Sequence, residues 1–89
     1  MRRVKILVAG RVQGVYFRYF TKNKADELGV MGSVKNLDSG HVEIIAEADD
    51  ATLEKFIHWC HKGPITARVD SVEISELQCD APLTAFVRN

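Results

Sequence analysis

Apolar and polar positions fall into seven patterned stretches along this chain, and each marks an element. Val4, Ile6 and Val8 alternate with Lys5, Leu7 and Ala9, the two-residue period of a strand with one preferred inner face, and Gly10 is expected to end it. From about Phe17 the spacing becomes helical: Phe17, Phe20, Ala25 and Leu28 form an inward stripe, Lys22, Asn23, Asp26 and Glu27 lie outside, and Gly29 is the C-terminal cap. A second strand is expected from about Val30 to Leu37. Asp38-Ser39-Gly40 is hairpin chemistry, after which Val42, Ile44 and Ala46 alternate with Glu43, Ile45 and Glu47 on the returning strand. Leu53, Phe56, Ile57 and Cys60 then fall at i, i+3, i+4 and i+7, with Asp50 as the expected N-cap and Gly63-Pro64 as the stop. A fourth strand spans about Arg68 to Leu77, and after Asp80-Ala81-Pro82 a short one runs from Leu83 to Val87.

The order is βαββαβ with a short extra C-terminal strand. Two helices with a single apolar stripe each can bury those stripes only against one face of the sheet, so the expected fold is α+β, a ferredoxin-like two-layer α/β plait. A chain of 89 residues, 46% hydrophobic, has material for one core, which makes residues 1–89 a single expected domain. Twelve basic residues balance twelve acidic ones, so no global field draws the chain to nucleic acid or to an anionic membrane, and any anion site must be local. The apolar run after Arg2-Arg3 is too short for a secretory leader and no segment has the length of a membrane span. A cytoplasmic protein with Cys60 and Cys79 as reduced thiols is the expectation, a disulfide the minority reading.

The chemistry concentrates in Gly10-Arg11-Val12-Gln13-Gly14-Val15-Tyr16-Phe17-Arg18, where a strand curls at two glycines and enters a helix carrying arginine. Glycine permits the tight curve that points successive backbone N–H groups into one concavity, the helix N-terminus adds the positive end of its dipole, and a guanidinium supplies a planar fork suited to phosphate oxygens. Taken by itself such a loop more often merely connects a strand to a helix. Asn36 shares the alternation of Val34 and so points inward at the end of its strand, where it either caps the hairpin or serves a site; the residues alone leave both open. His58 and His61 flank Cys60 at a spacing that suits a metal, but Cys60 lies on the inward stripe and no further ligand cluster accompanies them, so no metal is expected. His41 reads as a solvated turn residue, Trp59 as an aromatic at the core edge, Arg11 and Lys35 as exposed cations, and Arg88 as structural.

The full string GRVQGVYFR resembles the signature of the acylphosphatase family, and the resemblance extends through Ser33-Val34-Lys35-Asn36, Lys62-Gly63-Pro64 with Ala67 and Val69, and Phe86-Val87-Arg88. It implies an enzyme that hydrolyses small carboxyl-phosphate anhydrides such as acetyl, carbamoyl or aryl acyl phosphates, without metal or cofactor. It assigns Arg18 and the backbone amides of Val12, Gln13, Gly14, Val15, Tyr16, Phe17 and Arg18 to the substrate phosphate, and Asn36 to the attacking water, with Gln13's side chain shaping the loop. One departure is Ser33, where family members often carry tryptophan; it touches packing or the acyl side rather than the phosphate. The hairpin Asp38-Ser39-Gly40-His41 also differs slightly from the commoner Asp-Gly turn.

The chemistry fits so sparse a set of groups. An acyl phosphate releases a carboxylate whose conjugate acid has a pKa of about 4, so no proton donor is needed at neutral pH. No base accompanies the signature, and the substrate's own phosphate oxygens are the expected proton acceptor. Two other classes compete: a non-catalytic anion-binding or regulatory module on the same fold, and an RNA-binding sheet, which would need aromatic rings where the first strand has Leu7 and Ala9. The expected partner is a small acyl phosphate, with no nucleic acid and no membrane. A monomer is expected, although an open sheet edge can pair.

Overall fold

The computed structural model describes residues 1–89. Its elements follow the order β1 (Arg2–Arg11), α1 (Phe17–Leu28), β2 (Met31–Asn36), β3 (Val42–Ala48), α2 (Asp50–Lys62), β4 (Arg68–Leu77) and β5 (Phe86–Arg88). The alternating positions do what their period demands: Val4, Ile6 and Val8 of β1 and Val42, Ile44 and Ala46 of β3 are buried, and β1 and β3 pair antiparallel so that Ile6 faces Ile44. The strand order is β4-β1-β3-β2-β5, antiparallel throughout except for β5, which runs parallel to β2 at the far edge. This is the ferredoxin-like plait with one added strand. No helix is long and apolar enough to cross a membrane.

Both helices close the same core. Leu53, Phe56, Ile57 and Cys60 of α2 and Phe17 and Ala25 of α1 are buried among the strand residues. Burying a side chain the size of Leu53 or Phe56 contributes about 1.5–3 kcal/mol, so these positions carry much of the fold's stability. Phe56 lies at the centre of an aromatic group, 6.4 Å from Trp59 and 6.1 Å from Phe86. β5 is thereby fixed to the core by Phe86 although it is only three residues long.

Several details depart from the expected pattern. The α2 N-cap is Asp49, whose Oδ1 accepts from the Thr52 N–H at 2.8 Å, and Asp50 is the first helical residue. Gly10 does not end β1: the strand continues to Arg11 through a register shift between Ala9 and Gly10. There Gly10 has φ +131°, and a Cβ would fall 2.2 Å from the Arg68 carbonyl oxygen, so the close approach of β1 to β4 requires glycine. On α1 the fully buried polar residue is Thr21, whose hydroxyl donates to the Phe17 carbonyl at 2.7 Å, while Phe20 and Leu28 are half-buried. Glu47, expected on the outer face of β3, is buried beneath the segment that crosses from β4 to β5, where it accepts from the Leu83 N–H.

Candidate active site

The bulge at Gly10 aims the chain into the loop between β1 and α1, which is held at several points. Val12 and Val15 are buried in the core. The Thr66 hydroxyl donates to the Val15 carbonyl at 2.7 Å, and Gln13 Nε2 donates to the Leu37 and His41 carbonyls at 2.8 and 2.9 Å. Gln13 thus ties the loop to both ends of the β2–β3 hairpin, as its expected shaping role requires. Phe17, at the loop–helix junction, is buried with its ring 5.9 Å from that of Trp59.

With its side chains anchored in this way, the loop leaves its main-chain donors unspent. Ten backbone hydrogen bonds lie outside the helices and strands, and none is donated by a residue from Val12 to Arg18. The N-cap of helix α1 is Tyr16 in the left-handed conformation, φ 62°, with no side chain capping the first turn and no acidic residue within it. Helix α2, in contrast, has both. A row of unpartnered N–H groups therefore meets the positive end of an uncapped helix, an arrangement that favours an anion.

These donors border a cavity of about 570 Å³ lined by Val12, Gly14, Tyr16, Phe17, Arg18, Tyr19, Asn36, Arg88 and Asn89. Two arginines and no aspartate or glutamate line it, so a chain of zero net charge carries a locally positive hollow. Arg18 Nη1 donates to the Asn89 main-chain oxygen at 2.5 Å, which orients the guanidinium and leaves its other N–H groups for a ligand. Asn36 is on the inward parity that its alternation indicates, opposite Val42, yet it is exposed: it opens on the cavity instead of the core.

The cavity therefore unites Arg18, Asn36, Val12, Gly14, Tyr16 and Phe17 from the expected set. Gln13 and Val15 do not line it: one side chain turns to the hairpin, the other into the core. Sequence reasoning did not place Tyr19, Arg88 and Asn89 there. Arg88 and Asn89 reach it because β5 pairs with β2, where the Asn89 N–H donates to the Val34 carbonyl at 2.9 Å, and Tyr19 reaches it from the first turn of α1. His58 and His61 are exposed on α2 outside the cavity wall, and burial pushes the Cys60 thiol well above its ordinary range, as suits an unreactive core residue.

A positive hollow of main-chain donors on a ferredoxin-like plait defines a class of small anion-handling α+β domains. The comparisons are more specific. Residues 4–87 match the acylphosphatase family model. An acylphosphatase of Methylococcus capsulatus is 44% identical over 86 residues, 97% of this chain and 94% of that protein. The crystal structure of acylphosphatase from Bacillus subtilis superposes with a TM-score of 0.95 at 36% identity, covering 100% of this chain and 99% of that one. The same fold recurs within a longer protein: the crystal structure of HypF from T. kodakarensis matches with a TM-score of 0.87 at 34% identity, over 100% of this chain but 12% of that one. The chain belongs to the acylphosphatase family. It is an enzyme of acyl phosphate hydrolysis, which sets aside the non-catalytic reading.

Proposed function

We propose that this chain acts as a single-domain, monomeric, metal-independent acylphosphatase in which Arg18 and the loop amides hold the substrate phosphate while Asn36 positions the attacking water. The phosphate sits at the N-terminus of α1, its oxygens taking N–H groups between Val12 and Arg18 and the free part of the Arg18 fork. Across from it the Asn36 carboxamide accepts a hydrogen bond from the water and aims it in line with the bond to be broken. The water oxygen forms the new bond to phosphorus, the P–O bond to the acyl group breaks, and its electron pair leaves on a carboxylate. The proton of the water passes to a phosphate oxygen. Neither a general acid nor a general base from the protein enters, because the leaving group is already a weak base and the phosphate itself takes the proton. What the protein supplies is position and charge compensation in a preorganised site.

The observation that carries this reading is the meeting of unspent main-chain donors, Arg18 and Asn36 in one cavity without an acidic side chain. Loss of an electrostatic donor of this kind typically costs about 10²–10³ in rate. Arg18→Ala is accordingly expected to lower kcat/KM for acetyl phosphate at least ~100-fold and to weaken competitive inhibition by inorganic phosphate. Treatment with a chelator leaves the wild-type rate unchanged. Undiminished phosphate inhibition in the variant would put the anion elsewhere, and a rate lost to chelation and restored by a metal would overturn the metal-independent step.

A further inference from the structure

Tyr16 is the only residue other than glycine with a positive φ, 62°, a conformation that costs a residue with a Cβ more than it costs glycine. Its side chain is exposed, so packing recovers little of that cost. The strain has a simple way out. Turning over the planar peptide between Val15 and Tyr16, the change that separates a type II turn from a type I turn, would carry the Tyr16 φ from 62° to about −120° and barely move either Cα. The buried Val15 side chain would stay in place, so the core does not oppose the change.

What opposes it is one hydroxyl. Thr66 Oγ1 donates to the Val15 carbonyl at 2.7 Å, and no other hydrogen bond reaches that oxygen. Thr66 lies 51 positions further along the chain, in a turn closed by the Ala67 N–H donating to the Pro64 carbonyl at 3.0 Å. This turn is pressed against the loop: a Cβ on Gly63 would stand 3.2 Å from the Phe17 ring. Thr66 and Val15 do not line the cavity, whereas Gly14, Tyr16 and Phe17 do. In a trans peptide the carbonyl and the N–H point opposite ways, so a Val15 carbonyl held toward Thr66 turns the Tyr16 N–H away from it.

We propose that Thr66 is a positioning residue for phosphate binding, its hydroxyl holding the Val15–Tyr16 peptide with the N–H, and not the carbonyl, presented to the cavity. This rests on the phosphate being held by the loop amides and Arg18 as described above. With the peptide reversed, the cradle loses a donor and turns a carbonyl oxygen toward the anion. Phosphate then binds only the molecules whose peptide points the right way, and its apparent dissociation constant rises by the inverse of that fraction. Saturating substrate draws the peptide back, so the weakening falls on KM and leaves the chemical step alone.

The test compares Thr66→Val, which keeps the shape of the side chain without its donor, with Thr66→Ser, which keeps the donor; Thr66 is exposed in its turn, so neither change disturbs the core. In Thr66→Val the inhibition constant of inorganic phosphate and the KM for acetyl phosphate are both expected to rise at least ~3-fold with kcat within about twofold of the wild type, and Thr66→Ser restores both. A rise of less than ~3-fold in the phosphate constant, or a loss confined to kcat, would overturn the role of Thr66. A cycle with Tyr16→Gly isolates the strain. Glycine accepts the left-handed backbone, so Thr66→Val is expected to weaken phosphate binding less in that background than in the wild type, and equal weakening would overturn peptide reversal as the cause. Arg18→Ala measured alongside separates the two levels of the argument: phosphate inhibition lost there but kept in Thr66→Val overturns the role of Thr66 alone, whereas inhibition kept in both overturns the phosphate site as well.

Discussion

Asn36 and Arg18 reach one cavity from β2 and α1, and in the mechanism proposed they divide the work by charge. Arg18 is permanently cationic and oriented by Asn89, so in the mechanism proposed it anchors the phosphate in ground state and transition state alike. Asn36 is neutral and contacts only the water in the mechanism proposed, so its removal is felt in the chemical step. Asn36→Ala is expected to reduce kcat by at least ~100-fold with a change in KM of no more than about threefold, read by steady-state kinetics with acetyl phosphate. An unchanged kcat would remove Asn36 from the mechanism. The alternation with Val34 made the direction of this side chain legible, because a strand sends every second residue to the same face. Its exposure was not legible, since that depends on a hollow made by loop and tail residues far away in sequence. The left-handed backbone of Tyr16 gave no signal either: nothing in the string Val15-Tyr16-Phe17 distinguishes it from a residue in the first turn of a helix.

At the scale of elements, the site is a property of how β1 ends. Pairing with β3 ends at Val8, the register shift at Gly10 carries the strand on beside β4 to Arg11, the anchored loop follows, and α1 begins with its N-terminus open. Any side chain at Gly10 meets the Arg68 carbonyl and an unfavourable φ together. Gly10→Ala is therefore expected to destabilise the fold by more than ~2 kcal/mol, a cost of backbone strain and forced strand separation. Urea unfolding monitored by Trp59 fluorescence measures it, and a change within ~0.5 kcal/mol would show that β1 and β4 part without strain. The periods along the chain made all seven elements legible, but not their ends. Asp49 and Asp50 are adjacent and equally suited to cap α2, and only the geometry of Thr52 decides between them. Gly10 suggests a stop by its type, yet a bulge keeps it inside the strand.

At the scale of the whole molecule, the segment between β4 and β5 must pass from one edge of the sheet to the other, and a buried ionic contact fastens it. Glu47 Oε1 lies 2.7 Å from Arg3 Nη2, Glu47 Oε2 accepts from the Leu83 N–H at 3.1 Å, and Arg3 Nη2 also donates to the Ala81 carbonyl. The hydrogen bond from the Leu83 N–H, followed by the one from Arg3, holds the Glu47 carboxyl below the ordinary glutamate value of about 4.5. A carboxyl depressed in the folded state stabilises the fold fully above its unfolded value and loses that contribution as pH falls through its folded value. Glu47→Gln is thus expected to be less stable than the wild type at pH 7, with the gap between the two narrowing as the pH drops below about 4.5. Thermal melts across pH 2–7 check it, and a gap that stays constant over this range would show that the charge of Glu47 contributes nothing. A sequence reading assigns Glu47 to the outer face by parity, correctly, but cannot tell that Arg3 and a crossing segment bury it there.

The pairing of β5 with β2 places Arg88 and Asn89 in the cavity wall and so ties the hollow to a strand only three residues long. The oxygen that steadies the Arg18 guanidinium belongs to Asn89, 71 positions further along the chain. Release of β5 by itself would therefore leave the loop in place with its arginine unmoored.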